Sequence, residues 1–167
     1  MPCRIATAHR SSHGGDGSVD DALEALAEEL GRRLMARGWH IALAESCTGG
    51  LVGHAITNVA GSSYYFQGGV ISYANEVKRD VLRVPDDILQ AHGAVSEPVA
   101  RAMARGARIA IGAEVGLSIT GIAGPTGGTP AKPVGTVYLG ISTPDGESVH
   151  QYCWSAGRVG NKVLSAR

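Results

Sequence analysis

A short apolar run that ends in small polar residues and two glycines constrains this sequence more than any other feature. Residues 41–44 form the run, Glu45-Ser46-Cys47-Thr48-Gly49-Gly50 follow it, and an apolar, helix-like pattern begins at Leu51. This order predicts a buried strand that delivers a hydroxyl or a thiol to the N-terminus of a helix. The glycines leave room for a tight turn. Free backbone N–H groups and the positive end of the helix dipole would stabilise an anion there, so we expect the chemistry at this turn.

Apolar strands and helical segments alternate along the rest of the chain. The patterns predict strands at residues 40–44, 70–73, 115–120, 134–142 and 148–154, and helices at residues 18–38, 48–57, 75–78, 85–90 and 96–111. The 75–78 helix would be capped by Asn75 and would contain Lys78. Such alternation indicates an α/β fold with a mostly parallel sheet, helices on both faces, and a closing antiparallel hairpin across Pro144-Asp145-Gly146.

Length and composition fit one domain over residues 18–167, preceded by a loose polar tail over residues 1–17. Of the 167 residues, 44% are apolar and 18% are charged, which is typical of a compact globular protein. Fifteen basic and fifteen acidic residues cancel, so no net field favours nucleic acid or anionic lipid as a partner. We find no apolar run of membrane-spanning length and no secretion signal in the sequence. The composition therefore predicts a soluble cytoplasmic protein.

Three cysteines are too few and too scattered for a disulfide framework or a zinc site. We expect no metal and no cofactor.

Ligands of parallel α/β sheets bind at the carboxyl ends of the strands. Three segments, residues 45–50, 73–78 and 121–128, follow predicted strands and should therefore converge. The last of them is rich in glycine and could wrap a phosphate with backbone N–H groups. It is not a Walker loop, because no Gly-Lys-Ser/Thr follows, and a plain long turn is the alternative.

Ser46, Cys47 and Thr48 compete for the role of nucleophile. Spacing alone favours Cys47, because a thiol at a helix N-terminus ionises most easily. Alternatively, Cys47 packs inward as a small apolar residue, and Ser46 or Thr48 only caps the helix. The local sequence does not decide among these interpretations.

Tyr73 and Lys78 place a phenol and an amine at a strand-to-helix junction. A partly desolvated lysine can serve as a base near neutral pH, or, if it stays charged, can lower the pKa of a neighbouring hydroxyl. A surface lysine is the alternative. Glu45, beside the apolar strand, needs a partner if it is buried, either Lys78 or a backbone donor. Arg158 is a candidate anion ligand or a solvated side chain, and His92 fits a capping or packing role.

Several motifs in order resemble the C-terminal domain of the CinA family, the competence/damage-inducible proteins. The motifs span most of the chain between residues 20 and 158 and are the following: Ala44-Glu45-Ser46-Cys47-Thr48-Gly49-Gly50, Gly61-Ser62-Ser63, Gly69-Val70-Ile71-Ser72-Tyr73-Ala74-Asn75-Glu76-Val77-Lys78, His92-Gly93-Ala94-Val95-Ser96, Ser118-Ile119-Thr120-Gly121-Ile122-Ala123-Gly124-Pro125 and Lys132-Pro133-Val134-Gly135-Thr136-Val137.

The resemblance implies a three-layer α/β/α sandwich with a mixed, mostly parallel five-stranded sheet, self-associated as a homodimer or a higher homo-oligomer. Standalone members of the family include nicotinamide-nucleotide amidohydrolases, so it also implies hydrolysis of nicotinamide mononucleotide to nicotinic acid mononucleotide and ammonia. Carried over by motif, Ser46 is the nucleophile, and Tyr73 and Lys78 assist it. The resemblance, rather than the spacing, favours Ser46 over Cys47.

On this hypothesis Lys78 takes the serine proton with Tyr73 as a relay, and backbone N–H groups around residues 48–50 hold the oxyanion. Further residues are expected to shape the oxyanion and substrate site: Glu45, Cys47, Thr48, Gly49, Gly50, Asn75, Gly121, Gly124 and Arg158.

The sequence departs from the family pattern near its C-terminus. Ala156-Gly157-Arg158 stands where Gly-Asp-Arg is usual, Asn161-Lys162 replaces a common Ile-Arg, and the final helix is short. The N-terminal nucleotide-processing domain of longer relatives is expected to be absent. The shortened C-terminus makes a non-catalytic nucleotide-binding or sensing module the alternative function. A redox-sensitive Cys47 protein is a third hypothesis.

Overall fold

The computed structural model describes residues 17–167. The tail predicted over residues 1–17 therefore lies almost entirely outside the described residues, as do the side chains of residues 18–20. The elements, in order, are α1 (Gly17–Arg37), β1 (Ile41–Glu45), α2 (Leu51–Asn58), β2 (Phe66–Ile71), α3 (Asn75–Asp80), α4 (Asp86–His92), α5 (Glu97–Ile111), β3 (Val115–Gly121), β4 (Thr136–Thr143), β5 (Gly146–Cys153) and α6 (Gly157–Ala166).

The five strands form one mixed sheet in the order β2-β1-β3-β4-β5. β1 pairs in parallel with both β2 and β3, whereas β4 is antiparallel to β3 and β5 is antiparallel to β4. Four strands therefore run in one direction and β4 runs in the other. Helices cover both faces, so the predicted three-layer α/β/α architecture is confirmed.

Side chains of β1 alternate between the two helical layers, as the pleat of a strand requires. Ile41 and Leu43 pack in one apolar cluster with Leu34 of α1 and Ile56 of α2. Ala42 and Ala44 point to the opposite face, where the cluster includes residues of α5. β1 is thus buried on both sides, which explains its continuous apolar sequence.

The α5 layer lies unusually close to the sheet. A Cβ on Gly140 of β4 would lie only 2.6 Å from the carbonyl oxygen of Ala100 in α5, and one on Gly116 of β3 would clash with the carbonyl oxygen of Ala104. Small residues on both sides therefore allow the helix backbone to rest on the strands.

Three local predictions need correction. β2 begins at Phe66 rather than at residue 70, because Gly68 and Gly69, which are poor strand formers, lie within it. Glycine is needed at 69, since a Cβ there would lie 2.9 Å from the Cβ of Leu43 on β1.

The other two corrections concern the starts of helices. α2 begins at Leu51, after a turn over residues 46–50. Asn75 is the first residue of α3 and not its cap, a position that belongs to Ala74.

Candidate active site

The carboxyl ends of β1, β2 and β3 meet at one cavity of about 210 Å³. Each of the three segments expected to converge contributes to its wall. The lining residues are Ser46, Cys47, Tyr73, Lys78, Ala94, Val95, Thr120, Gly121, Ala123 and Arg158.

Backbone hydrogen bonds to both neighbouring strands hold the turn that carries Ser46. The Ser46 N–H donates to the carbonyl oxygen of Ile119 on β3 at 2.9 Å, and the Ser72 N–H, just after β2, donates to that of Glu45 at 2.7 Å. The hydroxyl of Ser46 is thereby fixed at the end of the strand, facing the cavity.

Lys78 places a basic group next to that hydroxyl. Its side chain extends from α3 and is only 1% exposed, and its Nζ lies 3.3 Å from Ser46 Oγ. Burial lowers the pKa of Lys78, although the negative charges that Cys47 and Glu76 can carry oppose this shift. The amine of Lys78 therefore loses its proton more readily than that of an exposed lysine.

Two carbonyl groups orient the Lys78 amine. Nζ donates to the carbonyl oxygen of Ser72 at 2.5 Å and to that of Tyr73 at 3.3 Å. A neutral amine has two N–H bonds and one lone pair. If the two carbonyls take the N–H bonds, the lone pair is left for the O–H of Ser46, which is the arrangement that a base requires.

Cys47 packs inward, as the second interpretation of the sequence held. Its thiol is buried, and burial raises its pKa to about 11, against the smaller opposing effects of its own backbone N–H and of Lys162 and Lys78. The thiol stays protonated at neutral pH, so the argument from spacing for an ionised Cys47 fails.

Glu45 is buried, and its carboxylate accepts backbone N–H groups at the N-terminus of α2. One carboxylate oxygen accepts the N–H groups of Gly50 at 2.9 Å and Val52 at 3.2 Å, and the other accepts that of Gly53 at 2.8 Å. Its partners are thus backbone donors and not Lys78. Because this carboxylate already occupies the positive end of α2, the Gly50 N–H is not free for an oxyanion. The other N–H groups of the turn belong to residues 47–49.

Tyr73 lies at the rim of the cavity, and its side chain is 65% exposed. Its Oη lies 3.4 Å from Nη2 of Arg158, whose Nη1 donates to the carbonyl oxygen of Gly124 at 2.7 Å. Among the described residues, no hydrogen bond joins the phenol to Ser46 or Lys78. Arg158 therefore links the loop after β3 to Tyr73.

The remaining predicted residues are not among those that line the cavity. Asn75 is exposed on α3, Gly49 follows Thr48 in the turn, and Thr48 is buried with a hydroxyl that has no partner in the described part of the chain. His92 is exposed, and its carbonyl oxygen accepts the Nζ of Lys132.

Within residues 17–167, no three His, Cys, Asp or Glu side chains lie close enough to hold a metal ion. None of the helices in that range is long and apolar enough to cross a membrane.

Comparison with known proteins identifies this arrangement. A sequence model of the CinA C-terminal domain matches residues 23–166. The chain belongs to the CinA C-terminal domain family. A CinA-like protein of Anaeromyxobacter sp. (strain Fw109-5) is 52% identical over 155 residues, which are 93% of this chain and 38% of that protein. A CinA-like protein of Salinibacter ruber is 49% identical over 97% of this chain and 39% of its own length. The chain thus spans well under half of these CinA relatives.

Solved CinA structures share the fold over nearly the whole chain. The competence/damage-inducible protein CihA of Agrobacterium tumefaciens is 36% identical with a TM-score of 0.84, and the match covers 94% of this chain and 93% of that one. A competence/damage-inducible protein of Klebsiella pneumoniae is 32% identical with a TM-score of 0.84, over 87% and 90% of the two chains.

Two residues beside this CinA site were not among those predicted, and both lie on α6. Asn161 is buried; its Nδ2 donates to the carbonyl oxygen of Ala123 in the cavity wall, and its Oδ1 accepts the N–H of Ala156, both at 3.0 Å. It ties the start of α6 to the loop after β3. Lys162 lies near the turn of Ser46, with its Nζ 3.8 Å from the point where a Cβ on Gly49 would be. The sequence signal that could have drawn attention to these two residues is that Asn161-Lys162 departs from the usual family pattern.

Proposed function

We propose that the protein is an amidohydrolase that converts nicotinamide mononucleotide to nicotinic acid mononucleotide and ammonia through a serine acyl-enzyme. One observation carries the proposal: Ser46 Oγ and Lys78 Nζ lie 3.3 Å apart in a cavity at the carboxyl ends of the strands. A binding module needs no buried lysine oriented toward a serine. The family resemblance supplies the substrate class.

Acylation begins when the neutral Lys78 amine takes the proton of Ser46 and Oγ bonds to the carboxamide carbon. The carbonyl oxygen then becomes an oxyanion. We assign its stabilisation to backbone N–H groups of residues 47–49, since the Gly50 N–H is held by Glu45. Each oxyanion donor typically lowers the barrier by about 3 kcal/mol.

Release of ammonia completes the first half of the reaction. The Lys78 ammonium returns its proton to the amide nitrogen, the carbon–nitrogen bond breaks, and the acyl group remains as an ester on Ser46. Water then attacks the ester, Lys78 accepts the proton of the water, and the proton returns to Oγ as the acid leaves. Lys78 thus serves in turn as base and acid.

Tyr73 has a different position from the relay that the sequence suggested. Its backbone carbonyl helps to orient Lys78, and its phenol lies beside Arg158 at the rim. We therefore assign the proton transfers to Lys78 and the placement of substrate to Tyr73 and Arg158.

The proposal is tested by incubating the protein with nicotinamide mononucleotide and following ammonia and nicotinic acid mononucleotide. Ser46→Ala should abolish ammonia release, whereas Cys47→Ala should leave much of it. The reverse outcome refutes the assignment of the nucleophile. Calorimetric binding of the nucleotide without product over hours would favour the alternative, a nucleotide-binding module.

A further inference from the structure

Two cations of α6 lie on one side of the cavity. Arg158 lines the cavity, and Lys162 follows four residues later, so that both side chains project from the same face of the helix. The Lys162 Nζ reaches the turn that carries Ser46, near Gly49. The side of the cavity between the rim and this turn therefore holds two positive charges.

Neither charge is neutralised by the described part of the chain. Several arginines elsewhere form ion pairs with acids, for example Arg33 with Glu29 and Arg105 with Glu147. No ion pair of this kind is found at Arg158 or Lys162 among residues 21–167; Arg158 donates to the carbonyl oxygen of Gly124 and to the phenol oxygen of Tyr73, and both acceptors are neutral. Two unpaired cations one turn apart are suited to bind an anion.

The size of the cavity limits how much of a mononucleotide it can enclose. A pocket that encloses a drug-sized ligand has a volume of roughly 300–1,000 Å³. This cavity, at about 210 Å³, is smaller, so a mononucleotide is enclosed only in part. Its carboxamide must reach Ser46, so its phosphate must lie outside the innermost cavity. The cations of α6 lie beside the cavity, where they can contact a phosphate in that position.

We propose that Lys162, together with Arg158, binds the phosphate monoester of the substrate and makes the site select a nucleotide over the nucleoside that lacks the phosphate. This inference rests on the function proposed above. The guanidinium of Arg158 is oriented by the carbonyl of Gly124 and can offer its remaining N–H groups to phosphate oxygens, while Lys162 supplies a compact charge.

The kinetic test compares nicotinamide mononucleotide with nicotinamide riboside as substrates. Lys162→Gln should reduce kcat/KM for the mononucleotide roughly tenfold or more through a raised KM, and should affect the riboside reaction far less. Lys162→Arg should retain most of the preference. An equal loss on both substrates, or a loss in kcat alone, would overturn the phosphate assignment.

Arg37→Gln is the control, because it also removes one positive charge. Arg37 ends α1, four residues before β1 begins, and so lies at the end of the sheet opposite the cavity. Its kinetics should match those of the wild type with both substrates.

A second arm needs no turnover and uses inorganic phosphate as the probe. Thermal unfolding is followed in phosphate and in chloride at equal ionic strength, for the wild type, Lys162→Gln and Arg37→Gln. Phosphate should raise the unfolding temperature of the wild type and of Arg37→Gln more than that of Lys162→Gln. Comparing the variants cancels the general stabilising effect of phosphate salts, which is the same for all three proteins. Equal gains in all three would overturn the inference. If the wild type releases no ammonia but this difference is found, the proposed function fails and the anion site stands.

Discussion

Replacing Glu45 by glutamine should destabilise the protein by about 1–4 kcal/mol. The carboxylate accepts three backbone N–H groups, two on one oxygen and that of Gly53 on the other. An amide keeps one of these oxygens and places an NH₂ group in the position of the second, so at least one donor loses its acceptor. A buried donor without a partner costs about 1–3 kcal/mol, and the loss of a negative charge at a helix N-terminus adds about 0.3–1 kcal/mol.

Urea unfolding measures this loss directly. With a slope of about 2 kcal/mol/M, the midpoint for Glu45→Gln should fall by roughly 0.5–2 M while the slope stays unchanged. Glu29→Gln is the matched control: Glu29 lies on the outside of α1, and its ion pairs within the described residues are with the exposed Arg32 and Arg33, so its midpoint should not move. A shift for Glu45→Gln no larger than that of the control would show that the carboxylate does not hold the start of α2.

Three further outcomes follow from the site. Because burial lowers the pKa of Lys78, kcat/KM for nicotinamide mononucleotide should rise with pH, with a midpoint below pH 10.5, the ordinary pKa of lysine. A rise with its midpoint at or above pH 10.5 would contradict the role of Lys78 as base. Cys47, with a pKa of about 11, should resist iodoacetamide at neutral pH in the native protein and react after unfolding, as peptide mass spectrometry would show; rapid native labelling would refute its burial. Asn161→Ala should lower the free energy of unfolding by about 1–3 kcal/mol and raise KM more than it lowers kcat, since the cavity wall loses its tie to α6; an unchanged KM would remove this positioning role.

The sequence predicted the layers of the fold because apolar periodicity reports burial. β1 is buried on both faces and therefore reads as an uninterrupted apolar run. The meeting of Ser46 with Lys78 followed from a topological rule, since parallel strands that end at one edge bring their following loops together. Neither prediction required knowledge of a distant contact.

Predictions failed where the role of a residue is determined by contact with a residue that is distant in sequence. Gly69 looks like a strand breaker, but the side chain of Leu43 on the adjacent strand requires it. Likewise, the local pattern at Cys47 indicated an activated thiol, because it could not show that the carboxylate of Glu45 folds back onto α2 and that the thiol is buried. The contacts of Asn161 with Ala123 depend on how α6 docks, which periodicity alone does not specify.

The anchoring of the Ser46 turn has a consequence for the proposed catalytic cycle. The turn is fastened to strands on both sides and, through Glu45, to the helix that follows. The attacking oxygen should therefore occupy the same place before substrate arrives and after product departs. Adjustment to the incoming molecule is left to the exposed side chains at the rim, Tyr73 and Arg158, which in the described part of the chain make no hydrogen bond to the Ser46 hydroxyl or the Lys78 amine.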